Sequence, residues 1–171
     1  RVEHLREAAE IRSELPAFFT QHIQRWALRG PQSLFVDREN REFYLSLAAE
    51  MAEAGALLFT TVRSQGRPIA YHFGFQDGQK LLWYKPSFDI AEAAHYPGEV
   101  LLKALIEYAR GRGLAELDFT RGDEFFKSRF ANRIRRNHSV ILCRTLPAAA
   151  ARWMKNRVGR SPMLRSAAET A

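Results

Sequence analysis

Up to Gly55, apolar residues recur every three or four positions, and this spacing predicts helices. The helical pattern begins at the start of the chain, and Pro16 is expected to begin a second helix. Asp37 is the expected N-cap of the next helix, which should end at Gly55. The apolar positions of the opening segment, residues 1–29, are Leu5, Ala8, Ile11, Leu15, Phe18, Phe19, Ile23 and Trp26.

Beyond Gly55 the apolar period changes to that of β-strands. The predicted strands are Leu57–Val62, Ile69–Phe75 and Leu81–Lys85. An Asp-Gly pair, Asp77-Gly78, separates the last two strands and is typical of a two-residue hairpin. In that hairpin Gln76 faces Gln79, and counting back from the turn places Phe73 opposite Leu82.

This register divides the side chains of the hairpin between two faces of the sheet. The first face is predicted to be core and holds Ile69, Tyr71, Phe73, Phe75, Leu82 and Tyr84. The second face resembles one wall of a cleft and holds Ala70, His72, Gly74, Leu81, Trp83 and Lys85. We therefore expect Tyr71 and Phe73 to be buried and His72 to be reachable from the cleft.

Helices and strands alternate in the second half of the chain. A loop at residues 86–95 leads to a helix that begins at Pro97, where the missing N–H costs nothing, and ends near Gly111 and Gly113. The remaining predicted elements are a strand at Leu114–Phe119, a short helix at Glu124–Ala131, a strand at Ser139–Cys143 and a basic helix at Pro147–Val158. The order predicts an α+β fold, an α/β sandwich whose mixed, mostly antiparallel sheet is flanked by helices.

Composition places the chain among globular domains. It has 171 residues, of which 46% are hydrophobic and 26% charged, enough to bury a sizeable core. The formal net charge is +7, and basic residues cluster near the short helix and toward the C-terminus. Such a field suits nucleic acid, anionic lipid or the phosphates of a nucleotide, and it equally suits a solvated basic surface.

The lone cysteine, Cys143, has no partner for an internal disulfide and favours a reducing compartment. No apolar run reaches the length of a membrane span, and no signal peptide opens the chain. The sequence therefore predicts a cytoplasmic protein. Because the chain begins with Arg1 rather than Met, we expect it to be part of a longer protein.

Two segments carry a family resemblance. They are Tyr96-Pro97-Gly98-Glu99-Val100-Leu101-Leu102 and Leu117-Asp118-Phe119-Thr120-Arg121-Gly122-Asp123-Glu124-Phe125-Phe126-Lys127. Their order and spacing over residues 15–145 resemble the acyl-CoA N-acyltransferase (GNAT) superfamily, in the branch found in cellulose and exopolysaccharide biosynthesis. The resemblance implies an acyltransferase domain at residues 1–146, followed by a basic helix and tail at 147–171. The first strand of that fold is apparently missing.

The resemblance implies acetyl-CoA or another acyl-CoA as cosubstrate. The N–H groups at a helix start attract phosphate, and glycine allows close approach of the backbone. The expected cofactor-binding residues are Tyr96, Pro97, Gly98, Glu99, Val100 and Lys127. Only one glycine of the usual phosphate loop is present, and Tyr96 stands where this branch has serine. A plain helix start, with no ligand, is the alternative.

The candidate catalytic residues are Asp118, His72 and His22. A carboxylate after a strand could accept a proton from the acceptor, or it could simply bond the backbone. His22 and Arg25 share a helix face and resemble the family's His-x-x-Arg-Trp segment. The family's general-acid tyrosine is replaced by Phe126. No His or Cys spacing indicates a metal site.

These residues favour transfer of an acyl group to an amine or hydroxyl of a small molecule or saccharide. One alternative is an aminoacyl transferase of the peptidoglycan-bridge type, which shares the fold and takes its donor from tRNA. Another is a non-catalytic module of a polysaccharide-synthesis complex whose basic helix touches a partner or a membrane surface.

Overall fold

The computed structural model describes residues 1–28 and 32–138, together with residues 140, 142, 145 and 150. The chain forms two units, Arg1–Phe130 and Ala131–Ala171, and the helices and strands given below belong to the first. Residues 139, 141 and 143 of the strand predicted at 139–143, and all but residue 150 of the basic helix predicted at 147–158, lie outside the described residues.

The elements of the first unit follow one another in the order strand, two helices, three strands, helix, strand and helix. They are β1 (Val2–Leu5), α1 (Ala8–Ala27), α2 (Arg38–Glu53), β2 (Leu57–Ser64), β3 (Arg67–Asp77), β4 (Lys80–Phe88), α3 (Pro97–Gly111), β5 (Glu116–Asp118) and α4 (Phe125–Phe130). Short 3₁₀ turns at Leu34–Val36 and Ile90–His95 precede α2 and α3.

The five strands form one sheet in the order β1-β2-β3-β4-β5. Neighbours are antiparallel from β1 to β4, whereas β4 and β5 are parallel because α3 connects them. The predicted α+β fold with a mostly antiparallel sheet flanked by helices is therefore confirmed.

The first strand is present, so the expectations of a helical opening and of a missing strand are wrong. β1 pairs antiparallel with β2, from Val2 opposite Val62 to Leu5 opposite Phe59. The side chain of Arg63 bonds the Glu3 carboxylate at 2.8 Å and holds this edge in place. A four-residue strand carries almost no periodic signal, so it is pairing along β2 that selects strand over helix.

Helix α1 is continuous, and Pro16 lies inside it rather than at the start of a second helix. Proline removes one backbone hydrogen bond of the helix. Pro16 is exposed, and so is Arg12, whose carbonyl loses that bond, so water can solvate it. Burial of the opposite face of α1, with Ile11, Leu15 and Phe18 fully buried, outweighs the local loss.

Each face of the sheet carries its own hydrophobic core. Helices α1 and α2 cover the first face, and its core includes Ile11, Leu15, Phe18, Phe35, Phe59, Tyr71 and Phe73. Helix α3 covers the second face, and its core includes Leu58, Leu81, Trp83, Leu101, Leu102 and Leu105. Each large apolar side chain so buried stabilises the fold by about 1.5–3 kcal/mol. The predicted burial of Tyr71 and Phe73 is confirmed, since both are 0% exposed.

The hairpin of β3 and β4 has a different register from the one predicted. Asp77 stays in the strand and pairs with Lys80, so Phe75 rather than Phe73 faces Leu82. Gly78 is therefore the first residue of the two-residue loop, and its φ is +54°. A two-residue hairpin turn needs a positive φ at this position, which glycine adopts readily. The resulting shift is of two residues, which leaves Leu82 and Trp83 on their predicted faces.

A β-bulge then interrupts β4. Phe75 pairs with Leu82 and Phe73 with Lys85, so two residues of β4, Trp83 and Tyr84, stand opposite the single Gly74. The extra residue moves Lys85 to the first face, where its ammonium lies 5.7 Å from the centre of the Tyr44 ring. A second irregularity, between Val62 and Arg63, places Ile69 in the second core. The predicted faces of Lys85 and Ile69 are therefore wrong.

The ring of His72 fills the space above Gly74. A Cβ at Gly74 would lie 1.9 Å from Cε1 of His72. The imidazole also stacks on Trp83, with 5.1 Å between ring centres, and its Nε2 accepts a hydrogen bond from the Tyr84 N–H at 3.3 Å. One buried histidine thus packs against both sides of the bulge.

We expect Gly74→Ala to destabilise the fold by about 1–3 kcal/mol, because the new methyl group and the His72 ring cannot occupy the same space. Urea unfolding at neutral pH would measure the change. Gly111→Ala is the matched control, since a Cβ there meets nothing within 4 Å and alanine favours a helix. Equal stability of the two variants would contradict the packing described here.

Candidate functional site

Strands β4 and β5 pair over only a short stretch and then separate. The paired residues are Lys80 with Glu116, Leu81 with Leu117 and Leu82 with Asp118. Strand β5 ends at Asp118, whereas β4 passes through its bulge and continues to Phe88. Beyond Leu82, no strand in the described part of the chain pairs with this edge of β4.

A cavity of about 220 Å³ lies along this part of β4. Its walls are mostly apolar and aromatic, which suits the uncharged part of a ligand. The residues that line it are Arg25, Trp83, Pro86, Ser87, Phe88, Ala93, Tyr96, Pro97, Gly98, Glu99, Leu102, Phe126 and Phe130.

The start of α3 forms one wall of the cavity. Tyr96 is the N-cap residue, in the left-handed conformation at φ +51°, and its side chain makes no capping hydrogen bond. The Tyr96 carbonyl accepts hydrogen bonds from the N–H groups of Glu99 at 2.9 Å and Val100 at 3.2 Å. The 15-residue helix directs the positive end of its dipole here. This end of the cavity therefore favours an anion.

Four of the residues predicted to bind the cofactor line this cavity, namely Tyr96, Pro97, Gly98 and Glu99. Gly98 lies close to the wall, because a Cβ added there would be 3.6 Å from Cδ1 of Phe88. The Glu99 carboxylate accepts from Arg129 at 2.9 Å, which offsets its negative charge. The Val100 side chain is exposed and does not line the cavity.

The turn before α3 is held by charged side chains. The guanidinium of Arg67, at the start of β3, contacts the Asp89 carboxylate at 2.6 Å and also binds Glu92. Asp89 in turn accepts a hydrogen bond from the Ala91 N–H at 3.0 Å. These contacts fix the chain that leads into Tyr96, in a segment that the sequence suggested to be an irregular loop.

Helix α4 presents Phe126 to the cavity and Lys127 away from it. The Phe126 ring lies 6.3 Å from that of Trp83 and offers no hydroxyl. The Lys127 side chain is 12% exposed, and its Nζ contacts Glu124 at 2.7 Å and donates to the Arg121 carbonyl at 3.1 Å. Lys127 therefore secures the loop before α4 and is absent from the cavity lining.

Asp118 lies where β4 and β5 separate. Its Oδ1 accepts a hydrogen bond from the Thr120 N–H at 2.7 Å, and the Thr120 hydroxyl donates to the Trp83 carbonyl at 3.3 Å. Asp118 thus orders the turn after β5 against the bulge of β4. The side chain is half-buried and does not line the cavity itself.

The expectation that His72 is reachable from a cleft is wrong. Its side chain is 0% exposed, because α3 covers the second face of the sheet at this position. Burial lowers the pKa of His72 to about 3. A group so enclosed has no direct contact with an acceptor, and its role in this structure is to pack the bulge.

His22 is also a core residue. It is 5% exposed, and its Nδ1 hydrogen-bonds the Ser33 hydroxyl at 2.8 Å. Its ring packs edge-on against Phe35. Burial lowers the pKa of His22 to about 4, and the positive charges of Lys85 and Arg25 add to the effect. The structure does not bring His22, His72 and Asp118 together at one surface.

Arg25 and Phe88 are two of the nine lining residues that were not among the predicted site residues. Arg25 lies one turn beyond His22 on α1, and its Nη1 donates to the Pro86 carbonyl at 2.8 Å. Phe88 was expected in a loop, but β4 extends to include it. The resemblance of the His22–Trp26 segment to the family's His-x-x-Arg-Trp segment was the sequence feature that could have indicated Arg25. The helical periodicity alone does not show that the Arg25 side chain reaches β4.

Within the described residues, no three His, Cys, Asp or Glu side chains converge as a metal site. A search of the same part of the chain found no helix long and apolar enough to span a membrane.

A mixed sheet that opens between β4 and β5, with an apolar cavity leading to an uncapped helix start, defines an acyltransferase class of fold. Residues 1–128 match the family described as the acetyltransferase (GNAT) domain. The chain belongs to this family, whose members use acetyl-CoA.

Solved structures share the fold at low sequence identity. The Escherichia coli ribosomal-protein-S18-alanine N-acetyltransferase is 18% identical with a TM-score of 0.50, and the match covers 68% of this chain and 63% of that enzyme, less than two thirds of its length. The PaiA N-acetyltransferase of Thermoplasma acidophilum, solved with coenzyme A, is 12% identical with a TM-score of 0.50 over 67% of this chain and 75% of that one.

A third structure is AAC(6')-Iy in complex with a bisubstrate analogue, CoA-S-monomethyl-acetylneamine. It is 12% identical with a TM-score of 0.56, and the match covers 84% of this chain and 98% of that one. At these identities the likeness concerns the fold. A search of curated proteins found no match.

Because His22 and His72 are held neutral in the fold, we expect stability to fall as the pH falls below about 6.5. The unfolded chain protonates each histidine near pH 6.5, whereas the folded protein does so only near pH 4 or 3. Protons therefore favour unfolding in this window, by up to about 1.4 kcal/mol per pH unit for each histidine.

Urea unfolding between pH 4.5 and 7.5 would measure this slope, and His22→Gln should reduce it. Equal stability at pH 4.5 and 7.5 would contradict the assignment of neutral, buried histidines.

Proposed function

We propose that this domain transfers an acyl group from acyl-CoA to an amine or hydroxyl of a saccharide or related small molecule in polysaccharide biosynthesis. The observation that carries the donor site is the apolar cavity between the open edge of β4 and the uncapped start of α3. A CoA thioester combines a long uncharged arm with phosphates at one end, and the cavity offers apolar walls next to an anion-attracting helix start.

The polysaccharide context is supported by the resemblance of two segments to the cellulose and exopolysaccharide branch. One is the helix start at Pro97 and Gly98, and the other runs from Asp118 to Lys127. A saccharide acceptor supplies the amine or hydroxyl that the reaction needs. We further propose a cytoplasmic location, since acyl-CoA is an intracellular donor and Cys143 has no disulfide partner in the chain.

In the proposed donor complex the phosphates lie at the first turn of α3. Gly98 lets the backbone approach them, and its N–H points along the helix axis toward the ligand. The side chain of Tyr96 is 68% exposed at the cavity mouth and offers an aromatic face to the nucleotide. Glu99 does not oppose the phosphates strongly, because Arg129 pairs with it.

The acyl end of the donor is proposed to lie near the bulge, where backbone N–H groups of β4 can polarise the thioester carbonyl. The Tyr84 N–H already donates to His72. The thioester carbonyl would therefore be polarised by other backbone N–H groups of β4 beyond Leu82. The acceptor nitrogen or oxygen bonds the acyl carbon, the carbon–sulfur bond breaks, and CoA leaves as thiolate. Phe126 has no proton to give to that thiolate, so water supplies it.

Asp118 is our proposed proton acceptor for the attacking group. It lies where β4 and β5 separate, and its partner Thr120 bonds the Trp83 carbonyl next to the bulge. A carboxylate at this position can take a proton from the attacking amine or hydroxyl. His22 and His72 are buried, which leaves Asp118 as the better placed of the three predicted catalytic residues.

We expect Gly98→Asp to weaken CoA binding at least tenfold, about 1.4 kcal/mol, because it adds a negative charge where phosphate must approach. Gly98→Asn is the matched control, with the same shape and no charge. Isothermal titration calorimetry with CoA would measure both variants. Equal CoA affinity of Gly98→Asp and Gly98→Asn would remove the start of α3 from the donor site.

We expect Asp118→Asn to lower the rate of acyl transfer by about 10²–10⁴-fold, as for loss of a general base. The amide oxygen still accepts from Thr120, so the thermal midpoint should move little. An acyl-transfer screen of amino sugars, amines and polysaccharide fragments would supply the acceptor for this assay, with aminoacyl-tRNA as a competing donor. A full rate in Asp118→Asn would show that another group takes the proton.

A further inference from the structure

Arg25 reaches from the first face of the sheet to the cavity on the second. Helix α1 packs in the first core, yet the Arg25 guanidinium carbon lies 4.3 Å from the centre of the Phe88 ring, which packs against the second core. Its Nη1 donates to the Pro86 carbonyl at 2.8 Å. The side chain passes the edge of β4 in the stretch where β5 no longer pairs with that strand.

The same Phe88 ring connects Arg25 to the start of α3. The Arg25 guanidinium stacks on the Phe88 ring, and Cδ1 of the same ring lies 3.6 Å from where a Cβ on Gly98 would be. The cation on α1 and the first turn of α3 therefore contact one aromatic side chain. Their charges act on the same end of the cavity.

Two charged side chains are found among the described residues that line the cavity, Arg25 and Glu99. The Glu99 carboxylate is paired with Arg129. The Arg25 guanidinium therefore lies at the same end of the cavity as the positive end of α3. Ser87, beside Pro86, also lines the cavity, and its hydroxyl is fully buried with no hydrogen-bond partner in the described part of the chain.

We propose that Arg25 binds a phosphate of the acyl-CoA donor. The inference rests on the proposed donor site and adds to it a residue from α1, far in sequence from the Pro97 segment. A guanidinium binds phosphate through parallel N–H groups and keeps its charge at any working pH. It would add a full charge to a phosphate site that has one glycine, Gly98, and the backbone dipole of α3.

The contacts of Arg25 also hold the guanidinium in place before the donor binds. Stacking on Phe88 orients the plane of the guanidinium, and the bond from Nη1 to the Pro86 carbonyl fixes its position along β4. A residue held in this way loses little side-chain entropy on binding. The arrangement explains how a family-like phosphate loop with a single glycine can retain a nucleotide.

The test compares Arg25→Gln and Arg25→Lys with wild type by isothermal titration calorimetry. The ligands are CoA, 3′-dephospho-CoA and pantetheine, which lacks every phosphate. We expect Arg25→Gln to weaken binding of CoA at least tenfold and to leave pantetheine binding unchanged, with Arg25→Lys between wild type and Arg25→Gln. Arg12→Gln, an exposed arginine of the same helix, is the matched control and should bind CoA as wild type does.

Each other outcome has a distinct meaning. If wild type binds no CoA, the proposed donor site itself fails. If wild type binds CoA and Arg25→Gln binds it equally well, the role of Arg25 alone is overturned. Equal losses for CoA and pantetheine would overturn it too, because Arg25 would then act by shaping β4 through Pro86. If Arg25→Gln does not fold, Arg25→Lys decides, since a loss for CoA without one for pantetheine supports the proposal and equal binding overturns it.

Discussion

The bulge in β4 opposite Gly74 is the constraint on which the candidate site depends. Two residues, Trp83 and Tyr84, occupy the space of one, so β4 turns away just where its pairing with β5 ends. The His72 ring packs over Gly74 and on Trp83 and accepts the Tyr84 N–H. A buried, neutral histidine thereby stabilises the irregularity that opens the sheet, and the open sheet provides the cavity.

The two cores explain how the donor site can draw on distant parts of the chain. Helix α3 is anchored on the second face by Leu101, Leu102 and Leu105, which fixes its N-terminus beside the end of β4. Helix α1 is anchored on the first face, and the gap at the edge of β4 lets Arg25 reach the same end of the cavity. An apolar channel with positive charge at one end suits a ligand that is uncharged along most of its length.

Replacement of the family tyrosine by Phe126 changes the chemistry that this site can perform. The Phe126 ring completes an aromatic wall with Trp83 and Phe119 but cannot protonate a leaving thiolate. A thiolate is a moderate base and can leave without a bound acid, whereas the attacking amine or hydroxyl must lose its proton. The requirement for a proton acceptor therefore exceeds that for a donor, and Asp118 next to the bulge is the residue that we propose for this role.

The sequence by itself determined the fold class, the long helices and the helix start at Pro97, because periodicity, an N-terminal proline and terminal glycines are local signals. It also placed Tyr71 and Phe73 in the core, since a two-residue register shift by itself leaves their face unchanged. Tertiary structure decided the short strand β1, the unbroken course of α1 through Pro16 and the burial of His72 under α3. It alone brought Arg25 to Phe88, because the bulge, the sheet edge and the helix packing that join them are long-range contacts that leave no local pattern.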